Sequence, residues 1–426
     1  MKSSAILRRA WGALLLATAC VALAPAAAAA QRRDVPDNDP SLCPYCEGDP
    51  ETMAGAGIVS HGGFEFATHD TAYVDKYLAS TDIVWIESEH LEIGFALGPY
   101  KVPTNEKKKI RAELEELAEL LPNVQPKKIR TLDPWLRSHM FALRAEKAYD
   151  RFLEIVQRKD EDFPKGESEW IIGQPYLGMG PYLGQKGKYE VLMLPSEALS
   201  VDFLLHEFGV VNKHPQRWNV VERDTLTVVM HAQHATDLRK DPAIHGHMVF
   251  NLAHNFLDGY KHYSYDTPVW IHEGLAHYME REISPEFNSF DASEGGIANM
   301  TNKSKWKDEV HALVRKGEAP RLAELLAHRN YANFTLAEHF TTWSMITYLI
   351  ERHPEGFAKI LDDLTALTDE KGLPDGSNLE DHHRDAFKEH LGMSYMEFDQ
   401  AWREWAMGLE PDPEDTAMPG PNVGGG

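Results

Sequence analysis

The order of hydrophobic and polar positions predicts both strands and helices in the first half of the chain. Residues 81–97 partly alternate apolar and polar side chains, which suits strand structure. Residues 105–121 and 132–159 repeat their apolar positions at helical spacing, which predicts two amphipathic helices. A further strand is predicted at residues 188–194 and a further helix at residues 196–209. This half is therefore expected to contain both strands and helices.

The start of the chain has the pattern of a secretory signal. Residues 2–9 carry three positive charges, residues 10–24 are apolar, and alanines 28–30 offer a cleavage site before Gln31. We therefore expect a secreted or periplasmic protein whose mature chain begins near Gln31. A lipoprotein attached through Cys20 is the alternative, although a small residue replaces the leucine that usually precedes such a cysteine.

The charge balance excludes several classes of partner. The formal net charge is −23, from 43 basic and 66 acidic residues. This excess argues against nucleic acid or an anionic membrane surface as a partner. No later segment reaches about eighteen unbroken apolar residues, so we expect no integral membrane segment after signal cleavage. A peptide or protein substrate is compatible with this composition.

Removal of the signal leaves two cysteines, Cys43 and Cys46, in the tetrapeptide Cys-Pro-Tyr-Cys. In an oxidising compartment the favoured interpretation is a local disulfide that staples the amino-terminal segment. A metal clip formed by the two cysteines with His61 is the first alternative. A redox motif is the second, but the helical pattern that such a motif requires does not follow the cysteines.

Histidines are concentrated in one part of the chain. Eight of the 21 lie between His231 and His277, and imidazole is the commonest protein ligand for zinc. The string HEGLAH at residues 272–277 suggests a zinc motif, but its histidines are five positions apart and diverge on a helix. Glu273 and His277, four positions apart, share a face. His231 and His234 are expected one turn apart, as a hydrogen-bonded pair.

The run TPVWIHEGLAHYMERE, residues 267–282, resembles the second metal helix of the gluzincin (MA clan) peptidases, particularly the bacterial peptidase MA-like families. In those families a Pro-x-Trp-x-x-Glu-Gly-x-Ala-x-Tyr run supplies a glutamate as third zinc ligand, and H-E-x-A-H lies on an earlier helix. By this resemblance Glu273 matches the third ligand and His254 the second histidine. Phe250 stands in place of the first histidine, and Asn251 in place of the general-base glutamate.

The resemblance implies an α+β fold of the zincin type, with a short β-sheet, two site helices and a helical carboxy-terminal half. Residues 336–407 resemble the carboxy-terminal helices of the same families. It also implies zinc as cofactor, with His254 and Glu273 as metal ligands. Helical spacing adds His277 as a metal ligand, because Glu273 and His277 share a face and can both reach one ion. In this arrangement His277 replaces the imidazole that Phe250 lacks.

The two replacements at the motif predict a metallopeptidase-like protein that binds one divalent metal with little hydrolysis. A neutral amide at position 251 cannot take a proton, so the catalytic residues stay unassigned. An active zinc hydrolase with Glu207 or Asp258 as substitute base is one alternative. A non-catalytic envelope- or carbohydrate-binding protein is another.

The chain divides by composition and resemblance into five segments. They are a signal peptide (1–30), an amino-terminal segment with the two cysteines (31–79), an α+β region (80–225), a gluzincin-like helical domain (226–408) and a disordered tail (409–426).

Overall fold

The computed structural model describes most of the chain between Cys43 and Leu409. The described residues are 43–166, 171, 176–233, 236–263, 267–290, 305–331, 334–369 and 375–409. The predicted signal peptide lies outside these ranges, and so does the predicted tail except for Leu409. Both therefore stay predictions.

A six-stranded mixed sheet organises the first half of the described chain. In sheet order its strands are β1 (Ile58–Ser60), β4 (Val84–Ser88), β5 (Leu91–Phe95), β8 (Tyr189–Leu194), β10 (Thr225–His231) and β9 (Gln216–Val220). The neighbours β5–β8 and β8–β10 are parallel, and the other neighbours are antiparallel. Two small ribbons pair β2 (Glu65–Phe66) with β3 (His69–Asp70), and β6 (Tyr100–Lys101) with β7 (Thr131–Leu132).

The strands follow the sequence pattern with two differences. The region 81–97 forms the antiparallel hairpin β4–β5 instead of one strand. The helical spacing expected for His231 and His234 is wrong, because His231 is the last residue of β10 and His234 lies outside the described residues. The strands β8 and β10 are buried along their whole length, as parallel strands between two helical layers must be.

The helices are α1 (Pro50–Gly55), α2 (Thr71–Tyr77), α3 (Lys107–Leu120), α4 (Pro134–Val156), α5 (Glu197–Phe208), α6 (Asp241–Gly259), α7 (Val269–Ile283), α8 (Trp306–Lys316), α9 (Leu322–Leu325), α10 (Leu336–Arg352), α11 (Pro354–Leu364), α12 (Leu379–Leu391) and α13 (Tyr395–Met407). The helices predicted at 105–121, 132–159 and 196–209 are confirmed as α3, α4 and α5. A six-stranded sheet followed by a helical carboxy-terminal half confirms the predicted α+β class. None of the helices in the described ranges is both long and apolar enough to cross a bilayer.

The two faces of the sheet carry different helices. On one face, Phe203 and Leu204 of α5 pack in a cluster with Leu192 of β8 and Val229 of β10. On the other face, α4 and α6 pack in a larger cluster with strand residues of opposite parity, such as Val191. Successive strand residues point to opposite faces, so α5 and α6 lie on opposite sides of the sheet.

A buried ion cluster fixes the start of α6 against α4. Asp241, the first residue of α6, is fully buried. Its two oxygens accept from Arg144 Nη1 at 2.7 Å and from Arg137 Nη2 at 3.2 Å, and both arginines belong to α4. Burial of these charges is tolerated because each is paired.

Close contact between α7 and α10 depends on a glycine. A Cβ atom at Gly274 would lie 2.5 Å from Cγ1 of Ile346 and 2.7 Å from the carbonyl oxygen of Thr342. No larger residue fits there without moving α10. The backbone of α10 therefore lies directly beside Glu273, the residue before this glycine.

The structure does not contain the disulfide that the sequence favoured for the two cysteines. Cys43 and Cys46 are free thiols in the structure, so the disulfide expected between them is absent. Each sulfur lies against a histidine: Cys43 against His139 of α4, and Cys46 against His61 after β1.

Candidate metal centre

The carboxylate of Glu273, on α7, is surrounded by three imidazoles from three helices. Its Oε1 lies 3.4 Å from Nε2 of His254 on α6. Its Oε2 lies 3.6 Å from Nε2 of His277, one turn along α7, and 3.3 Å from Nδ1 of His339 on α10. The structure thus places the three predicted ligands beside one another, two from the resemblance and His277 from helical spacing, and it adds His339.

Three of these residues have the spacing of a metal ligand set. The ligand atoms of Glu273, His277 and His339 lie within 4.8 Å of one another, and the two imidazole nitrogens are 3.0 Å apart. Donor atoms that share a tetrahedral zinc ion at bonds of about 2.0–2.2 Å are separated by roughly 3.3–3.5 Å. One carboxylate and two imidazoles form a donor set that zinc accepts. The residues present therefore fit a metal ion.

The carboxylate of Glu280 lies beside the imidazole nitrogen of His277 that does not face Glu273. Nδ1 of His277 lies 3.5 Å from Oε2 of Glu280, which is one turn further along α7. The backbone N–H and the hydroxyl of Ser289 donate to the same carboxylate at 2.9 and 2.5 Å. A carboxylate beside one imidazole nitrogen holds the proton there and leaves the other nitrogen free for a metal. Nε2 of His277 faces Glu273 accordingly.

The centre is closed to solvent. Glu273, His277 and His339 are 0% exposed and His254 is 1% exposed. Burial lowers the pKa of His254 well below its ordinary value, and the nearby charge of Arg217 lowers it further. Burial also lowers the pKa of His277. Both rings are therefore neutral at physiological pH, which is the form that binds a metal.

Aromatic rings enclose the imidazoles. The ring of Phe250 lies 4.8 Å from that of His254 and 5.1 Å from that of His277, so it occupies the space between them. Trp306 contacts His277 edge to face at 4.7 Å. Such rings contribute apolar volume and no ligand atoms.

The amide of Asn251, which the resemblance aligns with a general base, is hydrogen-bonded to His247 and Arg217. Its amide nitrogen donates to the carbonyl oxygen of His247 at 2.8 Å, and its oxygen accepts from Arg217 Nη1 at 3.2 Å. Nδ1 of His247 lies 2.9 Å from Ser289 Oγ, and this hydroxyl donates to Glu280. The amide is thus a structural link between α6 and β9.

The two acids considered as substitute bases lie in different places. Glu207 is on α5, across the sheet from α6, where it accepts from Tyr77 and Thr68 at 2.9 and 2.7 Å. It cannot serve this centre. Asp258 lies 3.3 Å from Nε2 of His272, and both line a cavity of about 320 Å³ beside α6 and α7. His272 in turn stacks on His254, with ring centres 5.5 Å apart.

The residues that sequence reasoning missed are His339 and Glu280. His339 is separated from Glu273 by 66 positions, and α10 shows no metal motif of its own. Glu280 carried a detectable signal, because it is three positions after His277 and so shares its helix face.

Comparison with known proteins assigns no activity to this region. Residues 243–368 match a family described as a protein of unknown function, DUF1570. The match contains His254, Glu273, His277 and His339, so the whole candidate centre lies within it. No curated protein matches the chain.

Proposed function

We propose that this chain is an exported, gluzincin-like protein that holds one zinc ion at Glu273, His277 and His339 and has little or no peptidase activity. The observation that carries the proposal is the ring of three imidazoles around one buried carboxylate. The ligand atoms of Glu273, His277 and His339 converge within 4.8 Å, and one carboxylate with two imidazoles is a donor set that zinc accepts. His254 faces the second oxygen of Glu273 and orients it.

The loss of hydrolysis follows from the residues around this set. Zinc would supply Lewis-acid chemistry, but peptide hydrolysis also needs a base, which is commonly worth about 10²–10⁴ in rate. Asn251 offers an amide that is already bonded to Arg217. Phe250 fills the space of the missing histidine, and the exposure of at most 1% at all four polar side chains argues against substrate access.

A second candidate, a hydrolase with a substitute base, is favoured by one observation. Asp258 and His272 lie 3.3 Å apart on the wall of the 320 Å³ cavity, and His272 contacts the ring of His254. A histidine oriented by an aspartate is a competent general base. This pair would then do the work that Asn251 cannot.

The test compares zinc content and cleavage in full-length protein purified without chelators. Zinc per chain is measured for the wild type, Glu273→Gln and His339→Ala, with Glu282→Gln as the control on α7. Glu282 is partly exposed and pairs with Arg151 at 2.9 Å, away from the centre. We expect the first two variants to hold one zinc fewer than the wild type and the control to match it. Unchanged zinc in Glu273→Gln would end the proposal.

Cleavage of casein and of short peptides, with and without chelator, separates the two candidates. We expect no chelator-sensitive cleavage by the wild type. Robust cleavage that chelators abolish, and that Asp258→Asn also abolishes, would establish the hydrolase instead.

A further inference from the structure

Four further ligand-type side chains converge far from Glu273 in sequence. Cys43 and Cys46 lie in a turn before α1, His61 follows β1, and His139 lies within α4. Their sulfur and nitrogen atoms all lie within 4.8 Å of one another. Their exposed fractions are 0%, 2%, 2% and 2%, so the cluster is sealed.

The contacts within the cluster pair each thiol with a different imidazole. Cys43 Sγ lies 3.1 Å from Nε2 of His139, and Cys46 Sγ lies 3.2 Å from Nε2 of His61. Around a tetrahedral zinc ion, with bonds of about 2.3 Å to sulfur and 2.0–2.1 Å to nitrogen, such atoms are roughly 3.5 Å apart. The observed separations are close to that geometry, with the four atoms gathered about one point.

The surrounding backbone orients the ligands. Nδ1 of His61 lies 2.9 Å from the carbonyl oxygen of Trp85, which fixes the proton on Nδ1 and directs the Nε2 lone pair to the cluster. The turn that carries the cysteines is closed by the hydrogen bond from Glu47 N to Cys43 O at 2.9 Å. Gly48 continues this turn with a φ of 67°, a conformation in which glycine is unstrained. Both sulfurs consequently point to the same side.

We propose that Cys43, Cys46, His61 and His139 form a structural zinc site, separate from the candidate centre at Glu273. Two thiolates and two imidazoles in a tetrahedral arrangement are a donor set that zinc prefers. Four protein ligands leave no position for a substrate, so the site is structural instead of catalytic. Binding converts two thiols to thiolates and releases two protons to solvent.

The site would attach the amino-terminal segment to the rest of the protein. The first described part of that segment, residues 43–61, contributes the six-residue α1 and the three-residue β1, which cannot bury a core of their own. Zinc would cross-link it to α4, 96 positions later in the sequence. Tyr45, between the two cysteines, adds one hydrogen bond from its hydroxyl to Asp133, just before α4.

A disulfide explains the cluster less well. It would close a very short loop and would contribute little loop-closure entropy. It would also leave His61 and His139 aimed at sulfurs that no longer carry charge. A zinc ion would bind all four side chains, and the hydrogen bond between His61 and the carbonyl oxygen of Trp85 would orient one of them for it.

The test uses full-length Glu273→Gln, in which the candidate centre has been removed. We expect this chain to retain one zinc, and the added substitution Cys46→Ser to remove it. Tyr45→Phe is the matched control, because it alters the residue between the cysteines and no ligand, and it should keep its zinc. Both thiols should resist a thiol reagent until a chelator is added.

Cobalt exchange gives a measurement that does not need the Cys46 variant to fold. Co²⁺ bound to thiolates shows near-ultraviolet charge-transfer absorption, which carboxylate and imidazole ligands do not give. We expect this absorption in Glu273→Gln. A Glu273→Gln chain without zinc and without the charge-transfer band would overturn the proposal. So would two freely reactive thiols, or a disulfide found in the exported protein.

Discussion

Replacing Glu280 with glutamine should weaken zinc binding at the candidate centre about tenfold to a hundredfold while every ligand remains. Glu280 is 1% exposed, and its carboxylate lies 3.5 Å from Nδ1 of His277. Glutamine keeps the shape and one acceptor oxygen but removes the charge. In the structure this contact is not a hydrogen bond, since Nδ1 of His277 has no hydrogen-bond partner. We expect zinc on Nε2 to bring the Nδ1–H onto this carboxylate, where a hydrogen bond to a charged acceptor is worth about 1.5–3 kcal/mol and one to a neutral acceptor about 0.5–1.5 kcal/mol.

The difference of about 1–2 kcal/mol corresponds to a five- to thirtyfold change in affinity. Loss of a carboxylate behind a metal-binding histidine typically costs 10- to 100-fold, and the two ranges overlap. The amide also has one acceptor fewer for Ser289, whose N–H and hydroxyl both donate to Glu280. We therefore also expect a loss of about 1–3 kcal/mol in the free energy of unfolding, from one unsatisfied buried group.

Zinc affinity is measured by competition with a chelator of known affinity, at a temperature where both proteins are folded. Glu282→Gln is the control, because Glu282 lies on the same helix, is partly exposed and pairs with Arg151. It should leave the zinc Kd unchanged. A Kd for Glu280→Gln within twofold of the wild type would refute the idea that this carboxylate supports a metal ligand.

Three further predictions concern the degenerate motif, a buried ion cluster and the pH dependence of stability. Phe250→His with Asn251→Glu should tighten zinc binding. Chelator-sensitive peptide cleavage that appears only in this double variant would show that hydrolysis lacks the histidine and the glutamate in the wild type. A double variant with unchanged zinc affinity would contradict the resemblance. Asp241→Asn should lower the free energy of unfolding by about 3–5 kcal/mol in urea denaturation, because buried Arg137 loses its carboxylate partner and buried Arg144 keeps only Glu113. The exposed pair broken by Glu115→Gln should cost about 0.5 kcal/mol or less, and equal losses would show that the buried pairing is unimportant. Burial, reinforced by a neighbouring glutamate, raises the pKa of Glu92 from its ordinary 4.5 to about 8. Between these two values the folded state holds a proton that the unfolded state releases. The protonated carboxyl therefore contributes its full stabilisation below about pH 4.5, and this contribution is lost as the pH rises towards 8. Glu92→Gln should therefore gain stability relative to the wild type as the pH rises from 5 to 8, and a pH-independent difference between the two proteins would disprove this assignment.

Local sequence patterns predicted three helices and a strand of the first half, and the part of the site that lies on one helix. The helical spacing of apolar residues predicted α3, α4 and α5, because periodicity reports which face of an element is buried. The spacing of four between Glu273 and His277 placed both on one face of α7 for the same reason. That Asn251 stands where the resemblance implies a base was also an inference from residue type, and it stays a prediction.

Contacts between distant elements were decided by the tertiary structure. His339 reaches Glu273 because Gly274 lets α10 approach α7 closely, and periodicity within α10 does not identify that neighbour. The sheet places Glu207 on the face opposite α6, although its sequence made it a reasonable candidate base.

The interpretation of the two cysteines also depended on a contact between distant elements. Their spacing in Cys-Pro-Tyr-Cys allows a disulfide, a metal clip or a redox pair, because each requires that the two sulfurs be close, and the expected compartment favoured the disulfide. The distinction came from His139, which the folding of α4 against the amino-terminal segment brings within 3.1 Å of Cys43. A sequence pattern determines which groups an element presents, and the packing of elements determines which of those groups meet.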